Sequence, residues 1–160
     1  MLYNLNNDKK IRIKKTKESN NVYLIAKSLP DYFDRKGLMN IKRDVKNHIL
    51  YGAFLNNEMI GFVTYKKINP EVIEMTWMGI KEEFHSKGIG KKMIMHSLRE
   101  LKNKYKICEV KTLAETCLDA GYERTRKFYK KIGFIPLEII DPYPGWTRGN
   151  PCQIYIKILR

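Results

Sequence analysis

Only three cysteines, Cys108, Cys117 and Cys152, occur in the 160 residues, an odd number without a short paired spacing. That pattern argues against both a disulfide framework and a zinc site, and it leaves unremarkable thiols in a reducing compartment as the expectation. No apolar run approaches the roughly 18–20 residues that a membrane span needs. Residues 1–10 carry no signal-peptide core, so the cytoplasm is the expected location. Acidic side chains are also in short supply: 17 Asp plus Glu stand against 31 Lys plus Arg, a formal net charge of +14.

Such an excess points to an anionic partner, whether nucleic acid, membrane surface or a phosphorylated ligand. Its distribution argues against the first of these as the main partner. Residues 1–80 carry 14 basic and 8 acidic groups, and residues 81–160 carry 17 and 9, so no arm or tail concentrates the charge. Lys outnumbers Arg 23 to 8, whereas base-edge reading relies on the bidentate Arg fork. At 43% hydrophobic and 30% charged the chain has the makings of a core, and its length suits one domain over residues 1–160.

Residues 11–15 alternate apolar and basic, as a half-buried strand does. Ser19 and Asn20 offer caps for a short helix through Val22, Ile25 and Leu29 that stops near Pro30. Leu38, Ile41 and Val45 mark a second helix over 37–47. Two β-rich runs, 49–55 and 59–68, flank Asn56-Asn57-Glu58 as a hairpin. Residues 72–80 are apolar on both faces, the pattern of a central strand. In a straight strand Glu74, Thr76 and Met78 share one face. Ile89, Met93, Ile94, Leu98 and Leu101 form a helical stripe, followed by a strand at 107–113, a helix at 122–131 and strands at 134–140 and 152–159. The order β-α-α-β-β-β-α-β-α-β-β predicts a single-domain α/β fold with a mixed central sheet.

The chemistry gathers at Glu83-Phe-His-Ser-Lys-Gly-Ile-Gly-Lys-Lys-Met, where the central strand hands over to a helix. Glycines permit a tight turn and close backbone approach to a ligand. A helix N-terminus presents unpaired N–H groups and a positive dipole end to an anion, and Lys87, Lys91 and Lys92 add charge. This is not a Walker A loop, because position 85 is His and position 92 is Lys. Nor is it a dinucleotide fingerprint, because Met93 replaces the last glycine.

One strand plus one helix later comes Arg124-Thr-Arg-Lys-Phe-Tyr-Lys-Lys-Ile-Gly-Phe134. Together the two segments resemble the GNAT superfamily of acyl-CoA-dependent N-acyltransferases, with its [Gln/Arg]-x-x-Gly-x-[Gly/Ala] pyrophosphate loop and its Phe-Tyr-x-x-x-Gly-Phe helix. The stretch from Tyr122 to Tyr129, with Asn150-Pro-Cys near the end, is similar to a bacterial branch whose substrates are poorly defined. His85 departs from the family's Gln or Arg and reads as an exposed loop residue rather than a catalytic one.

The resemblance implies transfer of an acetyl group from acetyl-CoA to a primary amine, by direct attack in a ternary complex without an acyl-enzyme or a metal. On that reading Cys117 and Cys152 are not nucleophiles. Pantetheine is expected along Met78, Gly79 and Ile80, and the diphosphate on His85, Ser86, Lys87, Gly88, Ile89, Gly90, Lys91 and Lys92. Tyr129 matches the family's usual general acid, and a phenol is protonated at neutral pH. Glu74 is the best acidic candidate for the general base, ahead of Asp119 and Glu123. Asp31, Tyr32, Phe33, Asp34, Tyr143 and Trp146 are candidates to wall an acceptor pocket. The acceptor is expected to be a small-molecule or peptide amine. A protein or aminoacyl-tRNA amine is the nearest alternative, and a CoA-binding or nucleic-acid-binding module without turnover the more distant one. No membrane partner is expected, and the chain is expected as a monomer or homodimer.

Overall fold

A computed structural model describes residues 2–4, 10–117 and 119–160. Its strands are β1 (Leu2–Asn4), β2 (Lys10–Thr16), β3 (Ile49–Leu55), β4 (Glu58–Lys67), β5 (Val72–Ile80), β6 (Ile107–Leu113), β7 (Ile135–Ile140) and β8 (Cys152–Ile158). The helices are α1 (Ser19–Lys27), α2 (Arg35–Asp44), α3 (Ile89–Leu101) and α4 (Ala120–Lys131), and a 3-10 turn covers Glu82–Phe84. The expected order is present, with the short β1 as an added edge strand.

Among the described residues, eight strands form one sheet in the order β1-β2-β3-β4-β5-β6-β8-β7. Every neighbouring pair is antiparallel except β5 and β6, which α3 connects in parallel. Asn56 and Asn57 both adopt positive φ, 49° and 65°, which is the reason two asparagines suit the β3–β4 turn. Helix α1 begins at Ser19 itself, after Glu18, so the expected Ser19 and Asn20 caps are interior to the first turn.

Two apolar layers sandwich the sheet. On one face Ile89, Met93, Ile94 and Leu98 of α3 and Tyr129 of α4 pack with Ile13, Tyr65, Ile73, Met75 and Val110. On the other, Val22, Ile25 and Ala26 of α1 and Ile41 of α2 pack with Leu50, Phe54 and Phe62. Burying both faces of the central strands is what their continuous apolar runs require.

A β-bulge corrects the expected face of Glu74. Thr64 pairs with Trp77 and Tyr65 with Met75, so Thr76 has no partner on β4. An extra residue reverses the alternation. Before the bulge Ile73 and Met75 face α3; after it Met78 and Ile80 do, while Trp77 packs in the α1–α2 layer. Glu74 therefore lies on the sheet face opposite to Met78.

Candidate active site

The bulge coincides with a parting of the sheet. Strand β5 pairs with β6 only as far as Met75 opposite Val110. Beyond that point β5 stays on β4 to Ile80 and β6 stays on β8 to Leu113. A wedge thus opens between them from Thr76 and Lys111 onward. Lys81 N–H donates to the Ile60 carbonyl, 2.9 Å, and Trp77 N–H donates to Thr64 Oγ1, 3.1 Å. In an antiparallel ladder these orientations alternate, so Trp77 and Gly79 turn to β4 while Met78 and Ile80 turn their N–H and C=O groups to the wedge.

The glycine loop lies at the end of β5, on one side of this wedge. Gly88 holds φ +73° and precedes α3, a conformation that glycine adopts without cost. Ser86 also has positive φ, 59°. Lys92 is the first residue whose amide bonds back into α3, to the Gly88 carbonyl at 3.1 Å. By helix geometry the amides of Ile89, Gly90 and Lys91 have no acceptor within the helix. A Cβ at Gly90 would lie 3.3 Å from Ile80 Cδ1, so the bare glycine lets the helix start settle on the strand end. Lys87 and Lys91 are exposed and Lys92 is half-buried.

His85 is not the exposed loop residue expected. It is half-buried, its Nε2 lies 2.6 Å from the Ile80 carbonyl oxygen, and Tyr32 meets its ring edge-on at 5.9 Å. Tyr129 is buried among Phe128, Phe134 and Tyr155, and that burial pushes its phenol well above the ordinary value. Across the sheet β6 presents Thr112, whose Oγ1 is the one fully buried side-chain oxygen or nitrogen without a partner among the described residues. It stands two residues past the last pairing with β5. An orphaned hydroxyl there is what a polar ligand entering the wedge would satisfy.

On the face of α1 and α2, Glu74 and Glu109 stand opposite each other in register. Lys111 Nζ bridges them, 3.0 Å to Glu74 Oε2 and 3.1 Å to Glu109 Oε1. Its ammonium lies 5.6 Å from the centre of the Tyr143 ring, and Tyr143 packs on Trp146 at 5.3 Å. The β7–β8 loop thus reaches the wedge from this side. Phe33 packs on Phe62 and Trp77. Asp34 is the N-cap of α2, accepting from Gly37 N–H at 2.7 Å, and Asp31 is exposed.

The weaker base candidates have structural work. Asp119 caps α4, accepting from the amides of Gly121 and Tyr122. Glu123 is ion-paired to Lys127 at 2.6 Å. Burial pushes the Cys108 and Cys152 thiols up, the latter to about 11, which makes them poor thiolates.

Sequence reasoning missed His48, whose Nδ1 lies 3.0 Å from Thr76 Oγ1, and Arg126, which donates from its buried guanidinium to the Leu113 carbonyl at 2.8 Å. No spacing signal joins partners that distant in sequence.

The model of the acetyltransferase (GNAT) family matches residues 13–134. No curated protein matches the sequence. Among solved structures, a GNAT-family protein from Desulfovibrio desulfuricans superposes with a TM-score of 0.81 at 13% identity, over 94% of this chain and 99% of that one. A GNAT acetyltransferase from Elizabethkingia anophelis with acetyl-CoA bound gives 0.71 at 24% identity, over 93% and 98%. The ribosomal-protein-S18-alanine N-acetyltransferase of Escherichia coli gives 0.71 at 15% identity, over 93% and 94%. Identities this low speak for the fold.

Proposed function

Because the chain belongs to the acetyltransferase (GNAT) family, we propose that it transfers an acetyl group from acetyl-CoA to a primary amine, with both substrates bound at once. The observation that carries this reading is the wedge itself. An open strand edge leads into a glycine-started helix, and Tyr129 is buried in the apolar layer on that helix's side of the sheet. Relatives by fold include one solved with acetyl-CoA and one named for acetylating an alanine amine.

On this reading the amides of Ile89, Gly90 and Lys91 hold the diphosphate, with Lys87 and Lys91 nearby as counter-charges. The backbone of Met78 and Ile80 holds pantetheine, as an added strand is held, and one of their N–H groups stabilises the negative charge that develops on the thioester oxygen. The unpartnered Thr112 hydroxyl fits such a ligand. Tyr129 supplies the proton that the departing thiolate needs, and its raised pKa keeps that proton in place at neutral pH. The cysteines take no part.

The acceptor enters from the face of Glu74, Glu109, Tyr143 and Trp146. Two carboxylates against one Lys111 leave that patch with one net negative charge, which suits a cationic amine in a chain otherwise strongly basic. Release of free thiol from acetyl-CoA, screened against polyamines, aminoglycosides, amino acids and peptides, tests the proposal. Amine-dependent thiol release supports it; thiol release no faster with any amine than without rejects it.

A further inference from the structure

An attacking nitrogen arrives as an ammonium ion and must lose a proton before it can form a bond. Glu74 is poorly suited to be the end of that path, because its carboxylate is already engaged by Lys111 and crowded by Glu109. A different route starts at the bulge.

Thr76 is the residue left unpaired on β4, and it stands directly beyond the last β5–β6 pair, at the vertex of the wedge. It is half-buried. Its Oγ1 lies 2.8 Å from Thr64 Oγ1 and 3.0 Å from His48 Nδ1. Thr64 has no exposed surface and accepts from Trp77 N–H at 3.1 Å. Each hydroxyl donates one hydrogen. With Trp77 donating to Thr64 and Thr64 to Thr76, the Thr76 hydrogen points to His48 Nδ1. The competing acceptors are farther: the Thr64 carbonyl at 3.3 Å from Thr76 Oγ1 and the Trp77 carbonyl at 3.4 Å from Thr64 Oγ1.

His48 joins α2 to β3 and is itself half-buried. Asp44 of α2 and Glu74 of β5 favour its protonation, while Lys66 of β4 and Arg43 of α2 oppose it; desolvation, the largest influence, also opposes it. The ring is therefore neutral at pH 7 and has a lone pair to offer. Glu74 acts on it as a nearby charge.

We propose that His48, acting through the Thr76 hydroxyl, takes the proton of the acceptor ammonium; the proposal rests on the amine-transfer reading above. The ammonium gives one proton to Thr76 Oγ1 as Thr76 passes its own to His48 Nδ1, so the imidazole becomes imidazolium and the nitrogen gains its lone pair. The C–N bond forms and the C–S bond breaks. Tyr129 protonates the thiolate, and the second N–H proton shed as the amide forms balances the one Tyr129 gave. His48 then releases its proton to water.

The test is the pH dependence of kcat/KM for any amine that the wild-type protein turns over, compared among wild type, His48→Gln, Thr76→Val and Thr76→Ser, with thermal melts run in parallel. The wild type is expected to lose activity in acid with a midpoint below 6.5, the ordinary value for His48. His48→Gln and Thr76→Val lose about tenfold or more and no longer show that limb, while Thr76→Ser, which keeps the hydroxyl, retains both rate and limb. A folded His48→Gln or Thr76→Val with the limb intact overturns the proposal. Should His48→Gln fail to fold, the contrast between Val and Ser at position 76 decides it. A wild-type protein that binds acetyl-CoA but turns over no amine brings down the underlying reading and this path with it.

Discussion

His85 Nε2–H donates to the carbonyl oxygen of Ile80 at 2.6 Å, tying the first residue of the glycine loop to the last residue of β5. Strand end and loop are thereby held in one arrangement, at the place where pantetheine and diphosphate would meet. The family's Gln or Arg at this position carries N–H donors too, and His supplies one through its ring.

Removing that tie should loosen the cosubstrate site without touching the chemistry. His85→Ala is expected to raise KM for acetyl-CoA about three- to tenfold, the worth of one hydrogen bond, with kcat nearly unchanged. His85→Gln, whose amide still donates, should recover most of the loss in the same steady-state assay.

Tyr129→Phe removes the phenol hydrogen from a buried aromatic cluster without changing its shape. Turnover should fall by about a hundredfold, the usual range for losing a general acid. Affinity for CoA, measured by calorimetry, should hold. Equal turnover in the two proteins removes Tyr129 from the mechanism.

Gly88 holds φ +73° with open space around the position of a Cβ, so the cost of Gly88→Ala is conformational alone. About 1–2 kcal/mol of strain is expected in thermal unfolding, together with a raised KM for acetyl-CoA as the amides of α3 lose their alignment.

Lys111→Met leaves Glu74 and Glu109 side by side without their shared cation. Because all three side chains are four-fifths or more buried, a loss of about 1–2 kcal/mol is expected, discounted for the solvent that still reaches them. Adding Glu109→Gln should return part of it, which a double-mutant cycle by denaturant unfolding reads directly.

Stability should fall on both sides of neutrality. Burial holds the phenols of Tyr51, Tyr65 and Tyr129 above 10.0. In the unfolded chain they ionise near that value while the fold keeps them neutral, so stability present below pH 10 is lost as pH rises beyond it. His48 and His96 are lowered from 6.5, chiefly by burial. Their contribution is present above 6.5 and is lost as pH falls through their folded values. Tm measured from pH 4 to 11 should show both declines.

Sequence periodicity located seven strands and four helices because each is a local pattern with one dominant face. Ile107–Leu113 and Cys152–Ile158 alternate or run apolar, and α3 carries its stripe from Ile89 to Leu101. The glycine loop was legible because Gly88 and Gly90 answer to backbone needs. What depends on pairing was not. Nothing in 72–80 announces that Thr76 will bulge, since that is decided by the register with Thr64 and Tyr65. Asp34 and Asp119 looked like free acids because a capping bond to a backbone amide is invisible until the helix start is known. The contact of His48 with Thr76 spans 28 positions.

The most direct measurement is the melting temperature of the wild-type protein with increasing acetyl-CoA. A ligand that binds only the folded state adds about 2.7 kcal/mol at a hundred times its Kd, which in a chain of this size corresponds to a rise of roughly 5–10 °C. Binding of acetyl-CoA to the folded chain predicts a saturable rise of that order, diminished in Gly88→Ala. An unchanged Tm at millimolar acetyl-CoA would contradict it.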